Sequence, residues 1–345
     1  MAPLNPDLND QTAAPRPDHR SADDYVTGIL EGNRVTLSQA ITLLESTRSD
    51  DRETARSVVE QCLPHSGDSI RVAVTGVPGV GKSTFIETLG QRLVAEGRRL
   101  AVLTVDPSSE RSKGSILGDK TRMGALASTE DAFIRPSPTA GTLGGVAPKT
   151  REAILLCEAA GYDTVFVETV GVGQSEITVY SMVDVFLLLT LAGAGDELQG
   201  IKRGIIEVAD AIAINKADGE NREAAETARA EYEKALRLLA DTESGWDPPV
   251  LTCSAQTGDG VEAVWSAVER YRAYTQETGF FEEQRRRQAR HWMHQTIERR
   301  LQDDFFSDAD VEAAREEIEA AVLNGDLSSV AAAERLLDVY REDAD

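Results

Sequence analysis

A complete phosphate-binding loop near residue 80 constrains the fold more than any other feature of this chain. Residues 76–84 read GVPGVGKST and match the pattern G-x-x-x-x-G-K-[ST] at every position. A β-branched run at 70–74 precedes the loop, and an amphipathic helix opens at Phe85 behind it. Glycines let main-chain N–H groups converge on phosphate oxygens, and the helix N-terminus adds partial positive charge. The pattern predicts a nucleotide-binding α/β fold.

The residues of this loop have distinct expected roles. Lys82 is expected to reach the β- and γ-phosphates and to act in catalysis, while the Ser83 hydroxyl is expected to bind Mg²⁺. The whole loop is expected to bind the nucleotide: Gly76, Val77, Pro78, Gly79, Val80, Gly81, Lys82, Ser83 and Thr84. A glycine-rich turn without a ligand is the alternative, which the strand-loop-helix context disfavours.

Strand and helix patterns alternate from Ser69 to about residue 275. Several strands are continuous apolar runs, which is typical of buried parallel strands. The predicted strands are 70–75, 100–105, 132–135, 164–168, 184–190, 211–215 and 250–253. The predicted helices between them include 83–96, 148–160, 221–240 and 261–274. This alternation predicts an α/β P-loop NTPase with a mainly parallel central sheet, an N-terminal helical arm and a C-terminal helical extension.

The two ends of the chain differ from this central part. Residues 1–20 are polar and Pro-rich and are expected to be a disordered tail, residues 21–66 a helical arm, and residues 67–275 the P-loop domain. Residues 276–345 carry charged helical stretches without strand signals. In the arm we expect two short helices, one beginning at a capping box at Thr36 and one near Asp50.

An apolar stripe marks the C-terminal segment. Its members lie at helical spacing: Val311, Ala314, Ile318, Ala321 and Val322. Such a stripe must be covered, either by the same chain or by a partner subunit.

Composition limits the partners. Lys and Arg total 36 against 59 Asp and Glu, a net charge of -23, which argues against nucleic acid and anionic membranes as partners. An acidic shell of this kind suits high salt, although ordinary cytosolic proteins are also acidic. Cys62, Cys157 and Cys253 are expected to be reduced core residues. With no apolar run near about 20 residues and no signal segment, the sequence predicts a cytoplasmic protein without a membrane span.

A second motif identifies the base. Asn215-Lys216-Ala217-Asp218 closes an apolar strand, where a nucleotide pocket is expected in a parallel sheet. Asp218 can accept hydrogen bonds from guanine N1–H and the 2-amino group, a donor pair that adenine lacks. Lys216 can lie along the base or ribose, and Asn215 can brace the loop. Ser254 and Ala255 end the next strand, where a main-chain N–H can meet guanine O6. The order of these pieces predicts GTP.

Carboxylates at strand ends are the candidate metal ligands. Mg²⁺ prefers oxygen ligands shared with phosphate. Asp106 and Glu168 end predicted strands and rank first, as ligands and as catalytic residues, whereas Asp119 lies in a loop and could be a solvated residue. Gly171 stands where many GTPases place a switch, so its N–H is expected to bind the γ-phosphate. Gln174 can position water, and no tightly bound organic cofactor is expected.

Read in order, these segments closely resemble the MeaB/MMAA-type (ArgK-type) GTPases of the SIMIBI class of P-loop proteins. The resemblance covers most of residues 25–275. The strings that carry it are GVPGVGKSTF (76–85), DPSS (106–109), GSILGDKTRM (114–123), FIRPSP (133–138), GTLGGVA (141–147), VETVGVGQSE (167–176), GDELQGIK (195–202) and NKAD (215–218). One departure is Lys113, where the family usually has glycine.

The resemblance implies a GTPase that binds GTP and GDP and escorts an adenosylcobalamin-dependent methylmalonyl-CoA, or related acyl-CoA, mutase. It implies metal and hydrolysis roles for Asp106, Asp119 and Glu168, and a C-terminal segment that forms a homodimer. It also implies a switch at 193–202, in which Asp196, Glu197 and Gln199 respond to nucleotide or mutase.

Two other functions are open at this stage. A metal-insertion GTPase would need a His-rich tract or a Cys/His cluster, and the four histidines are scattered. A transport-associated ATPase or kinase for lysine, arginine or ornithine would use ATP, which Asp218 disfavours.

Overall fold

The centre of the fold is a parallel sheet that places several strand ends at one edge. The structure, a computed structural model, describes residues 20–46, 48–105, 123–137, 143–169, 175–193, 203–239 and 242–342. The strands within them are β1 (Ile70–Thr75), β2 (Leu100–Val105), β3 (Ala132–Ser137), β4 (Thr164–Thr169), β5 (Val185–Leu191), β6 (Ala211–Asn215) and β7 (Val250–Thr252). Those strands form one sheet in the order β3-β2-β4-β1-β5-β6-β7, and every neighbouring pair is parallel. The predicted α/β fold with a parallel sheet is confirmed.

Helices connect these strands and extend the chain at both ends. The α-helices of the described residues are α1 (Ala22–Leu30), α2 (Arg34–Glu45), α3 (Ser49–Cys62), α4 (Lys82–Ala95), α5 (Gly124–Ala127), α6 (Leu143–Ala159), α7 (Ser175–Tyr180), α8 (Arg203–Glu207), α9 (Arg222–Leu236), α10 (Val261–Glu277), α11 (Phe280–Phe306), α12 (Ala309–Leu323) and α13 (Ser329–Glu342). Short 3₁₀ turns follow α3 and precede α9.

The apolar runs of the sequence form strands of the central sheet, which is the middle layer of the fold. All six residues of β1, β2 and β4 are buried, as expected for strands covered on both faces. Phe85 and Leu89 of α4 join this core, and so does Trp265 of α10. The Trp265 ring meets Phe166 edge to face, with 6.1 Å between centroids. This packing fixes α4 and α10 against the strands that end at the nucleotide loop.

The strand order creates a crevice at one edge of the sheet. β1 lies between β4 and β5, so the chain leaves β1 toward β2 on one side and later returns to β5 on the other. Ligands of open α/β sheets bind at such a reversal, outside the carboxyl ends of the strands. The phosphate loop follows β1 at this edge, and Asn215 ends β6 there.

The N-terminal arm contains three described helices, so the expectation of two was wrong. α1 begins at Ser21, whose hydroxyl accepts the N–H of Asp24 in a capping box. The capping box predicted at Thr36 was also wrong. Asn33 caps α2 instead, accepting the N–H groups of Val35 and Thr36 at 3.0 Å, because its short carboxamide stands directly before the first turn. Thr36 is buried inside α2.

Polar contacts hold this arm against the P-loop domain. Arg34 donates to the Thr129 carbonyl oxygen at 2.7 Å. The Glu45 carboxylate accepts from Arg135 of β3 at 2.7 Å, and the Glu45 carbonyl oxygen accepts from Lys149 of α6 at 2.6 Å. The end of α2 is thereby tied to two elements of the domain.

The chain divides into two compact units, one ending at Phe281 and the other beginning at Glu282. Within the second unit α12 packs against α13, where Val311 and Ala332 are buried. The rest of the predicted stripe on α12 is only half-buried. Exposed apolar side chains instead follow α11 at four-residue spacing: Met293, Ile297 and Leu301.

The three cysteines are free and buried. Burial raises the pKa of the Cys62 thiol to about 11 and that of Cys253 to about 12, so both remain protonated thiols at neutral pH. Among the described residues, no helix combines the length and apolar character needed to cross a membrane.

Candidate functional site

Two glycines of the phosphate loop lie so close to neighbouring strands that no side chain fits. A Cβ at Gly76, whose φ is 147°, would lie 2.2 Å from the Leu189 carbonyl oxygen of β5. A Cβ at Gly81, with φ 99°, would lie 2.7 Å from Nδ2 of Asn215. The sequence pattern therefore reflects close packing of the loop against β5 and β6, in addition to access for phosphate.

Lys82 begins α4 and folds back over the phosphate loop. Its Nζ donates to the carbonyl oxygens of Gly76 at 2.7 Å and of Val77 at 3.3 Å, and the residue is buried. The ammonium group is thus held beside the main chain of the loop at the positive end of α4. An anion bound by the loop would be attracted by the Lys82 ammonium group and by the partial positive charge of the α4 N-terminus.

Ser83 and Glu168 bring two oxygen ligands together. The Ser83 hydroxyl donates to Glu168 Oε1 at 2.8 Å, which links the start of α4 to the end of β4. Glu168 is 4% exposed. A hydroxyl and a carboxylate fit Mg²⁺, which usually takes one or two protein oxygens and completes its shell with phosphate and water. Asp106 and Asp119 lie outside the described residues, within which no group of three metal-binding side chains occurs.

Asn215 joins three segments of the site. Its Nδ2 donates to the Val80 carbonyl oxygen of the phosphate loop at 2.8 Å, and its Oδ1 accepts the N–H of Ala255 at 2.9 Å. The next residue, Lys216, has φ 59°, a left-handed value that is uncommon for a residue with a Cβ. The backbone therefore turns sharply where the predicted base reader begins.

The carboxylate of Asp218 has a protein partner that the sequence reasoning did not find. The buried Ser254 hydroxyl donates to Asp218 Oδ2, which leaves the second carboxylate oxygen for another donor. The Ser254 N–H donates to the Asp259 carbonyl oxygen and the Ala255 N–H to Asn215. Both N–H groups thus have protein acceptors, and a contact between a main-chain N–H of this loop and guanine O6 stays a prediction.

Helix α4 also holds the loop after β7, which sequence spacing did not indicate. The Thr88 hydroxyl donates to the Ala255 carbonyl oxygen at 2.6 Å, and Arg92 donates to that of Gly258 at 3.1 Å. Gly171 and the switch residues Asp196, Glu197 and Gln199 lie outside the described residues.

Comparisons with known proteins show the family of this chain. A family model described as "Methylmalonyl Co-A mutase-associated GTPase MeaB" matches residues 37–310. A protein of Mycobacterium tuberculosis named "Probable GTPase" is 50% identical over 322 residues, which cover 93% of this chain and 96% of that protein. The "Methylmalonic aciduria type A homolog, mitochondrial" of Mus musculus is 44% identical over 334 residues, covering 94% and 80%.

A solved structure shares the fold along nearly the whole chain. The crystal structure described as "LAO/AO transport system kinase" has a TM-score of 0.74 and 37% sequence identity, covering 94% of this chain and 99% of that one. The family model matches well over half of the chain, and the relatives align along almost all of it. The chain is therefore a GTP-hydrolysing enzyme and belongs to the MeaB family of methylmalonyl Co-A mutase-associated GTPases.

Proposed function

We propose that this GTPase couples Mg²⁺-dependent GTP hydrolysis to the gating of cofactor delivery to an adenosylcobalamin-dependent methylmalonyl-CoA, or related acyl-CoA, mutase. The proposal rests on two hydrogen bonds that join the phosphate loop to Glu168 and to Asn215. It also rests on the family of the chain, which is named for its association with the mutase. A relative named for methylmalonic aciduria supports the mutase as the partner.

Different residues of the site are proposed to bind the phosphates and the Mg²⁺ ion during hydrolysis. The loop N–H groups and Lys82 bind the β- and γ-phosphates and favour the charge that develops as the γ-phosphoryl group leaves for water. Ser83 and Glu168 would hold Mg²⁺, which neutralises phosphate charge when bound. Asp106 and Asp119 are proposed as further ligands from the family resemblance. We expect slow intrinsic turnover, because no motif of the sequence supplies an arginine finger.

Other residues are proposed to recognise guanine and to signal the nucleotide state to the mutase. Asp218 accepts from the guanine N1–H and 2-amino group, while its Ser254 partner fixes the carboxylate. Gly171 is proposed to bind the γ-phosphate, and Asp196, Glu197 and Gln199 to pass the nucleotide state to the mutase. In sequence these residues follow β4 and β5, which end at the same edge of the sheet.

A homodimer is proposed for the C-terminal segment. Met293, Ile297 and Leu301 are 54%, 48% and 61% exposed and lie one helical turn apart on α11. An exposed apolar row of this kind suits helix pairing with a second copy. This proposal replaces the α12 stripe, whose Val311 is already buried.

The experiment is GTP turnover with and without an adenosylcobalamin-dependent mutase from the same cell. We expect the mutase to accelerate hydrolysis by the parent protein. Asp196→Ala with Gln199→Ala should reduce this acceleration and leave GTP affinity near normal, whereas Glu231→Ala, an exposed change on α9, should behave as the parent. Full acceleration in the double variant would reject the switch assignment. No acceleration of the parent would reject the mutase coupling and leave the GTPase activity intact.

A second candidate is a transport-associated kinase, because the solved structure with 37% identity is described in those words. ATP turnover above GTP turnover would favour it. The Asp218 carboxylate, already held by Ser254, favours guanine instead.

A further inference from the structure

In the loop after β7, residues 254–258 carry five successive main-chain N–H groups, and four of them already donate to protein acceptors. Their acceptors are the Asp259 oxygen for Ser254, Asn215 Oδ1 for Ala255, the Ser254 hydroxyl for Thr257 and the Ser254 carbonyl oxygen for Gly258. The fifth belongs to Gln256, and no acceptor for it occurs among the described residues. It is the donor that this loop can offer to a ligand.

Thr88 of α4 determines where that donor points. Its hydroxyl donates to the Ala255 carbonyl oxygen at 2.6 Å across 167 residues of sequence. The Ala255 C=O and the Gln256 N–H belong to one planar trans peptide unit, so they point in opposite directions. Holding the carbonyl toward α4 therefore holds the Gln256 N–H away from it.

The preceding peptide unit is fixed as well. Asn215 accepts the Ala255 N–H, and the same carboxamide donates to Val80 of the phosphate loop. Since Val80 lies just before α4 and Thr88 lies within it, these hydrogen bonds close a ring through the phosphate loop, Asn215 and Ala255. Two successive peptide planes of the loop are thereby fixed relative to the phosphate site.

We propose that Thr88 is a positioning residue for guanine recognition, and that its hydroxyl directs the Gln256 N–H toward guanine O6. The inference rests on the proposed base site at Asp218 and deepens it. Thr88 itself does not touch the nucleotide. Guanine O6 accepts a hydrogen bond, whereas adenine carries a donor amino group at that position, so a fixed N–H favours guanine over adenine.

The experiment compares nucleotides that differ at the base. Binding is measured at fixed Mg²⁺ for GTP and for 2-aminopurine riboside triphosphate, which keeps the 2-amino group and has no oxygen at C6. Thr88→Val keeps the shape of the side chain and removes its hydroxyl. Thr88→Ser keeps the hydroxyl and should restore the parent behaviour. Thr227→Val is the matched control, because the Thr227 hydroxyl donates to the Glu223 carbonyl oxygen on the exposed face of α9.

We expect Thr88→Val to weaken GTP binding about three- to tenfold, which is the scale of one hydrogen bond, and to change binding of the 2-aminopurine analogue less than about twofold. Thr88→Ser and Thr227→Val should match the parent for both nucleotides. Unchanged GTP binding in Thr88→Val, or an equal loss for the two nucleotides, would overturn the inference, since a purely structural role affects both alike.

Asp218→Asn separates this inference from the proposed base site. If that variant weakens GTP binding while Thr88→Val acts equally on both nucleotides, the inference alone fails. If Asp218→Asn leaves GTP binding unchanged, the base is read elsewhere, and the proposed site and the inference fail together.

Discussion

Asp210 lies immediately before β6, at the edge of the sheet where the strands begin, and connects β6 to two other parts of the domain. Its Oδ2 accepts the N–H of Phe186 in β5 at 2.8 Å, and its carbonyl oxygen accepts from Trp246 Nε1 at 3.0 Å. Burial raises the pKa of this carboxyl group from 3.8 to about 7, although hydrogen bonds from Phe186 and Tyr271 oppose the shift. Between pH 3.8 and about 7 the native protein therefore holds a proton here that the unfolded chain has lost.

This pKa gives the sign of a pH effect on stability. Between 3.8 and about 7 the folded state binds more protons at Asp210 than the unfolded state, so its contribution to the free energy of unfolding falls as pH rises through this window. We expect Asp210→Asn to gain about 2 kcal/mol relative to the parent when the pH of chemical denaturation is raised from about 5 to 8. Glu231→Gln, at an exposed site, should show no such change. A difference between Asp210→Asn and the parent that is the same at both pH values would contradict this account.

Individual site residues could be predicted from the sequence where the motif is local. Lys82 and Ser83 lie in one unbroken pattern, and Asn215 and Asp218 lie in another, so each pair could be recognised from local spacing alone. The partners Ser254 and Thr88 act across 36 and 167 residues. Such pairs depend on the order of strands in the sheet, which one sequence does not specify.

At the scale of elements, a partly buried ion pair at the end of α2 is one of the contacts that hold the arm. The side chains of Glu45 and Arg135 are 16% and 18% exposed, and their atoms lie 2.7 Å apart. We expect Glu45→Gln to lower the free energy of unfolding by about 1–2 kcal/mol, because a charged hydrogen-bond acceptor is replaced by a neutral one. Chemical denaturation followed by circular dichroism measures this value.

A matched control exists within the same arm. Arg56 and Glu60 pair on the exposed face of α3 at 3.8 Å, with both side chains 71% exposed. Glu60→Gln should cost less than about 0.5 kcal/mol, since water screens such pairs. Equal losses in Glu45→Gln and Glu60→Gln would show that the ion pair of α2 does not fasten the arm.

The predicted element boundaries agree with the structure where apolar runs are long. They differ from it where polar residues set the start of a helix. β1, β2 and β6 have the predicted bounds. The helix predicted over 148–160 corresponds to α6, which begins at Leu143 and contains Pro148 inside. α1 spans only nine residues, and its cap at Ser21 could have indicated it.

At the scale of the whole molecule, the proposed homodimer depends on the exposed apolar row on α11. We expect the parent to be a dimer in solution, and Ile297→Asp to be a monomer with unchanged GTP turnover, because a charge in an apolar interface costs more than the pair gains. Light scattering after size-exclusion chromatography measures the mass. Leu238→Asp is the control, since Leu238 is also exposed and apolar but lies in the first unit. A parent that is a monomer, or an Ile297→Asp variant that stays a dimer, would contradict the proposal.

For the whole molecule, we propose that one crevice holds a guanine nucleotide between the phosphate loop and Asp218. Competition binding of GTP, ATP and xanthosine triphosphate to the parent and to Asp218→Asn tests it most directly. The parent should prefer GTP. The variant should bind GTP about tenfold or more weakly than the parent. It should bind xanthosine triphosphate more tightly than the parent does, because an amide can donate to the 2-oxo group that replaces the 2-amino group. An Asp218→Asn variant that keeps the parent's preference for GTP over the other two nucleotides would contradict the account.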